Sequence, residues 1–76
     1  MKRIIDGILY DTDTAELLYH DKAKNTKYYR TPVQHLFFIY YSRGEFSPVD
    51  ETFMKNFLGE YDIAKYIQIF GEPQEG

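Results

Sequence analysis

The sequence contains no cysteine, which excludes disulfide bonds, thiolate metal ligands and cysteine nucleophiles. Histidine occurs only at His20 and His35, which fall in different predicted elements. Because a zinc site needs three or four converging nitrogen, sulfur or carboxylate ligands, we expect no metal site. The five glycines are scattered at predicted turns, form no phosphate-binding loop and give no reason to expect a bound cofactor.

Long apolar runs are also missing, and none approaches the roughly 20 residues that cross a bilayer. The first seven residues place an acid and a glycine after only two apolar residues, so we expect no signal-peptide core. No base signature accompanies Ser42 or Ser47, and we therefore predict no catalytic residue and no enzyme. These absences together predict a cytoplasmic protein that does not contact a membrane.

What the sequence does contain is aromatic residues: eight Tyr and six Phe in 76 residues, with 43% of the chain hydrophobic. This composition is typical of one small globular domain, which at this length buries about 60% of the surface of its unfolded chain. Six consecutive apolar or aromatic residues run from Leu36 to Tyr41. Since neither alternating face of this run is polar, it predicts a central strand that is covered on both sides, or covered on one side and offered to a partner on the other.

Turn signals divide the rest of residues 1–44 into strands. Asp6-Gly7 between apolar pairs predicts a tight type I′ hairpin. Residues 16–20 and 27–31 predict two further strands, with the second ending before Pro32. We therefore expect a small antiparallel N-terminal sheet of three to four strands.

Residues 45–71 change to a helical pattern. Ser47 is predicted to cap the first helix, with Pro48 at its first position and Gly59 as its stop. Its apolar face would be formed by Val49, Met54, Leu58 and two phenylalanines, Phe53 and Phe57. Asp62 is predicted to cap a second helix ending at Gly71, with Ile63, Tyr66, Ile67 and Phe70 as its apolar stripe.

The predicted fold class is therefore α+β, with the two C-terminal helices packed on one face of the sheet. We divide this single domain, residues 1–76, into a sheet part at 1–44, a helical part at 45–71 and a polar tail at 72–76.

Charge is distributed unevenly along the chain. Residues 1–44 carry seven basic and five acidic side chains, a net charge of +2, whereas residues 45–76 carry two basic and seven acidic ones, a net charge of −5. The acidic half could contact a basic groove on a partner protein. The candidate partner-binding residues are Glu45, Asp50, Glu51, Glu60 and Asp62. The alternative is a solvated helical face whose acids near helix starts favour the helix dipole.

Residues 22–30, in the N-terminal part of the chain, form a basic segment that is a second candidate binding surface. Basic side chains alternate with tyrosines there, and such a stripe is typical of modules that bind single-stranded nucleic acid. The residues are Lys22, Lys24, Lys27, Tyr28, Tyr29 and Arg30. The alternative is a solvated hairpin with its tyrosines in the core. The net charge of −3 argues against strong nucleic-acid binding.

Three stretches of the sequence carry a resemblance to known proteins: residues 2–7 (KRIIDG), 10–15 (YDTDTA) and 66–72 (YIQIFGE). They resemble a group of small phage and integrative-element proteins of Gram-positive bacteria. In that group a segment like 29–31 is followed by a glycine turn, where this chain has Gln34. The resemblance implies an accessory protein of a mobile element, and such elements often encode inhibitors of host defence, including anti-CRISPR proteins.

We therefore predict a non-enzymatic interaction protein that inhibits a host defence complex by binding a nucleic-acid-binding protein, such as a CRISPR effector nuclease. A homo-oligomer is compatible with the sequence. The alternative is a small nucleic-acid-binding accessory or regulatory protein that uses the basic segment 22–30. The two differ in an observable way, because only the second should bind oligonucleotides with an affinity that falls steeply as salt rises.

Overall fold

The computed structural model describes all 76 residues and contains two antiparallel sheets followed by two helices. The strands are β1 (Lys2–Ile5), β2 (Ile8–Asp11), β3 (Glu16–Asp21), β4 (Thr26–Arg30), β5 (Phe37–Tyr40) and β6 (Phe46–Val49). The helices are α1 (Glu51–Tyr61) and α2 (Ile63–Phe70). The α+β class with C-terminal helices is as predicted, but the single sheet of three to four strands is not. Strands β1 and β2 form one sheet, and β3-β4-β5-β6 form the other in that order.

The β1–β2 hairpin turns at Asp6-Gly7, as predicted. Both residues have positive φ, 50° and 77°, which is the conformation of a type I′ turn and suits Asp-Gly. The hairpin forms a separate sheet because it lies over the larger sheet instead of pairing with its edge. Its residues Ile5, Ile8 and Tyr10 pack on the core, where the Tyr10 and Phe38 rings meet edge to face at 5.2 Å.

Strand β5 is central, which confirms the interpretation of the long apolar run. It pairs with β4 on one side and with β6 on the other, although only residues 37–40 of the predicted 36–41 are in the strand. Successive side chains enter different clusters. Phe38 is fully buried on the hairpin side with Tyr29 and Phe46, while Phe37 packs on the helix side with Met54 and Leu58.

The predicted start of the first helix at Ser47 is wrong. Ser47 and Pro48 lie in β6, opposite Ile39 and Phe38. Proline is tolerated there because β6 is an edge strand, where part of the backbone needs no partner. The helix is capped by Asp50, whose carboxylate accepts a hydrogen bond from the Phe53 N–H at 2.8 Å. Strand β6 therefore lies inside the segment predicted to be helical, and the sheet extends beyond residue 44 to Val49.

The predicted stop at Gly59 is also wrong, since α1 continues to Tyr61. Asp62 joins the helices: its N–H donates to the Leu58 carbonyl, while its carboxylate accepts from the Lys65 N–H at 3.1 Å. This confirms Asp62 as the cap of α2. Gly71, with φ 90°, ends α2 as predicted.

The helices cover the second face of the larger sheet with a different set of residues from the predicted one. Met54 and Leu58 of α1 are fully buried, but Phe53 is 41% exposed. In α2 the contacts with this core come from Tyr66, Ile69 and Phe70. Ile63, predicted to belong to the apolar stripe, is 62% exposed. As the first residue of α2 it lies at the end of the helix, and Ile69 supplies the packing instead.

Candidate functional site

Aromatic side chains from α1 and from two strands form a continuous surface, which we call the aromatic ridge. The residues Phe53, Phe57 and Tyr61 are spaced by four, so they share one side of α1. The ring centroids of Phe53 and Phe57 are 6.2 Å apart, and those of Phe57 and Tyr61 are 4.9 Å apart. Tyr28 of β4 stacks on Phe57 at 4.1 Å, and Tyr19 of β3 meets Phe57 at 5.3 Å.

A β-bulge places Tyr19 in this ridge. In the β3–β4 pairing Leu17 lies opposite Tyr29, and Tyr19 lies opposite Tyr28. Leu18 is therefore an extra residue that has no partner in β4. The extra residue interrupts the alternation of β3. As a result Leu18 is buried in the helix-side core, and the neighbouring Tyr19 also packs against that core. Strict alternation would have placed the two side chains on opposite faces of the sheet.

The ridge is partly open and has a shallow cavity beside it. Tyr61 is 57% exposed, and Phe53 is also exposed, whereas Phe57 is half-buried. The cavity measures about 240 Å³ and is lined by Phe53, Asn56, Phe57, Glu60 and Tyr61. Glu60 is the only charged residue in that lining. The site therefore combines exposed rings, one amide and one carboxylate.

The Tyr28 hydroxyl, in the ridge, carries no charge at neutral pH. Burial raises the pKa of Tyr28, and Asp21 and the neighbouring tyrosines Tyr41, Tyr19 and Tyr61 raise it further. On the hairpin side of the sheet, burial, Tyr40 and Asp13 raise the pKa of Tyr29. Glu60 therefore sets the charge of the cavity.

The five acidic residues singled out from the sequence do not form one face. Glu45 lies in the β5–β6 connection, and Asp50 follows the far end of β6. Glu51 forms an ion pair with Lys55 at 3.1 Å. Glu60 is nine residues further along, about two and a half helical turns, so it projects from the opposite side of α1. Asp62 is half-buried, and its carboxylate caps α2. Of the five acidic residues, only Glu60 therefore lies at the ridge.

The basic segment is also divided by the fold. Lys22 and Lys24 are exposed in the β3–β4 turn, but Arg30 donates to a carboxylate oxygen of Glu16 from Nη2 at 2.6 Å and from Nε at 3.1 Å. Lys27 is half-buried. Tyr29 is 6% exposed and belongs to the hairpin-side core. Because Phe57 covers one ring face of Tyr28, few rings remain in this segment on which bases could stack.

Sequence reasoning missed the aromatic ridge. It assigned Phe53 and Phe57 to the core, and it ended the helix before Tyr61. The spacing of residues 53, 57 and 61 was the available signal, and it becomes visible once Gly59 is accepted inside the helix. Tyr19 had no comparable signal, because the bulge depends on strand pairing.

A larger cavity, about 280 Å³, lies between the hairpin turn and residues 31–34, and none of its lining residues is charged.

No group of three or more His, Cys, Asp or Glu side chains is arranged to hold a metal ion. His20 lies in β3 with its Nε2 atom buried and without a hydrogen bond, and His35 is in the loop before β5.

Neither helix is long and apolar enough to span a membrane. No family model, curated protein or solved structure matches the chain.

Proposed function

We propose that this chain is a non-enzymatic binding protein that uses the aromatic ridge to contact a nucleic-acid-binding protein and inhibits it. The observation that carries the proposal is the ridge itself, in which Phe53 and Tyr61 remain exposed beside Glu60. Phe and Tyr are enriched where proteins contact one another. Contiguous exposed apolar patches on soluble proteins are a mark of interaction sites.

Charge supports a basic partner. The ridge belongs mainly to the acidic half of the chain, where residues 45–76 carry a net charge of −5. A net negative charge steers this half of the chain toward a positively charged surface and raises the rate of encounter, and Glu60 places one of the acidic groups at the ridge itself. Surfaces of that charge are a common property of proteins that bind nucleic acid.

The biological setting follows from the sequence resemblance. The segments 2–7, 10–15 and 66–72 resemble proteins of phages and integrative elements, for which a host defence complex is a natural target. We propose that the partner is such a complex, of which a CRISPR effector nuclease is one example. Binding would compete with the nucleic acid that the complex needs.

Fluorescence anisotropy with labelled single- and double-stranded oligonucleotides tests this function against direct nucleic-acid binding. We expect no saturable binding at physiological salt, because only Lys22 and Lys24 remain as exposed, unpaired cations of the basic segment. The control is a Lys22→Glu, Lys24→Glu double variant, which should behave like the wild type. Tight binding that weakens steeply with salt and disappears in this variant would establish the accessory-protein function instead.

A further inference from the structure

The last turn of α1 carries an uncompensated negative charge. The C-terminal end of a helix is the negative end of its dipole, and cationic side chains usually occupy its last turn. Here that turn contains no basic residue and includes the acidic Glu60. The nearby Asp62 carboxylate, which accepts a hydrogen bond from the Lys65 N–H, is also negative and supplies no counter-charge. This end of α1 therefore favours the approach of a cation.

The cavity beside Glu60 has the groups that would bind a planar cation. Phe53, Phe57 and Tyr61 supply aromatic rings, and a cation over such a ring is attracted by its negative face. The Glu60 carboxylate and the Asn56 side chain supply hydrogen-bond acceptors. A guanidinium group can stack on a ring and donate two parallel hydrogen bonds to a carboxylate at the same time.

We infer that this cavity is a binding site for an arginine side chain of the partner protein, an inference that rests on the proposed function. A lysine would supply the charge but not the planar stacking surface or the forked donors. An anionic group would be repelled by Glu60. An apolar side chain would remove water from that carboxylate without replacing its hydrogen bonds.

The identity of the bound residue implies how inhibition works. Arginines on nucleic-acid-binding proteins commonly contact phosphate groups. An arginine held between Tyr61 and Glu60 cannot contact a phosphate at the same time. Binding of this chain and binding of nucleic acid through that arginine are therefore mutually exclusive.

A titration followed by ¹H–¹⁵N NMR tests the site without a known partner. The probe is a blocked Gly-Arg-Gly-Arg-Gly peptide, and the matched controls carry lysine or the neutral isostere citrulline in place of arginine. We expect saturable shifts of the amides of Phe53, Asn56, Glu60 and Tyr61 with the arginine peptide. The lysine peptide should bind more weakly, and the citrulline peptide should not bind.

Paired variants identify the carboxylate. Glu60→Gln should weaken arginine-peptide binding about tenfold, since it replaces a charge-assisted hydrogen bond by a neutral one. Glu51→Gln removes the same charge from the opposite side of α1 and should leave the affinity unchanged. Equal losses in the two variants, equal binding of the citrulline peptide, or the absence of saturable shifts at the ridge would each overturn the inference.

The arginine site and the proposed function can fail separately. If the peptide does not bind but the chain still contacts a nucleic-acid-binding protein through the ridge, the arginine site is wrong and the function stands. If the peptide binds as predicted but no nucleic-acid-binding protein competes with it for the ridge, the function is wrong and the site stands.

Discussion

The two faces of the larger sheet use aromatic residues in different ways. On the hairpin side, Tyr10, Tyr29, Phe38 and Phe46 are all buried. On the helix side the fully buried residues of α1 are Met54 and Leu58, and the aromatic rings continue from this core to the exposed Phe53 and Tyr61. Aromatic content alone therefore does not distinguish a buried core from an exposed surface. Whether the rings are buried or exposed depends on which element packs on that face of the sheet, the hairpin on one and the helices on the other.

The largest expected effect is on the hairpin side. Phe38→Ala should lower the free energy of unfolding by about 3–5 kcal/mol, because Phe38 is fully buried and its ring contacts those of Tyr10, Tyr29 and Phe46. A loss of that size approaches the whole stability of a small domain. Thermal unfolding followed by circular dichroism measures it. A variant that melts at the wild-type temperature would show that this face is not a closed core.

The core of the helix side should be nearly as sensitive. Leu58→Ala should lower the free energy of unfolding by about 3 kcal/mol, since the Leu58 side chain is fully buried between α1 and the sheet. Urea denaturation gives the value. A cost below about 1 kcal/mol would mean that the helices pack loosely and that the two faces differ in more than their aromatic residues.

A smaller effect tests where the sheet ends and the helix begins. Asp50→Ala should cost about 1 kcal/mol by removing the acceptor for the Phe53 N–H. Ser47→Ala should be nearly neutral, because Ser47 lies in β6 and does not cap α1. Chemical denaturation of both variants decides this. The reverse ranking would restore Ser47 as the cap.

The exposed end of the ridge at Tyr61 should contribute less to stability than either core. Tyr61→Ser should change the free energy of unfolding by about 0.5 kcal/mol, as is usual for exposed positions. The same urea experiment applies, with Leu58→Ala as the buried control. A loss as large as that of Leu58→Ala would make Tyr61 a core residue and remove the contrast between the two faces.

The last prediction concerns Tyr28 and Tyr29, one on each face of the sheet, whose ionisation affects stability only at alkaline pH. Burial raises the pKa of Tyr28 and of Tyr29. Above about pH 10 these tyrosines ionise in the unfolded chain while the folded chain keeps their protons. Stability should therefore fall as pH rises through this range. A Tyr28→Phe, Tyr29→Phe double variant should lose less stability between neutral pH and pH values above 10. An unchanged pH dependence would contradict the assigned shifts.

Local signals predicted those parts of the fold that depend on neighbouring residues. Asp6-Gly7 specified its turn, Asp62 and Gly71 marked helix ends, and the 36–41 run indicated a covered strand. The prediction that Ser47 caps a helix was wrong because Ser-Pro-x-Asp is typical of a helix start, whereas Ser47 pairs with β5 and lies in a strand. The bulge at Leu18 depends in the same way on the register with β4, which has no local signal.

The candidate site was predictable only in part for the same reason. Glu60 was included among the acidic residues, but charge along the sequence could not show that Glu51 projects from the opposite side of α1. The end of the helix at Tyr61, two residues beyond the predicted stop at Gly59, brings Tyr61 into line with Phe53 and Phe57. The ridge therefore depends on both helix length and strand register.

Site-specific photocrosslinking tests the central claim, that the ridge is the contact surface, most directly. A benzoylphenylalanine placed at Tyr61 is compared with one at Ile4, which is exposed on the hairpin. In extracts of Gram-positive bacteria, the hosts that the proposed function implies, we expect position 61 to crosslink to a nucleic-acid-binding protein. The crosslink should be lost with Glu60→Lys, retained with Glu51→Lys and reduced by added nucleic acid. Crosslinks to such a protein from position 4 and not from position 61 would contradict the account.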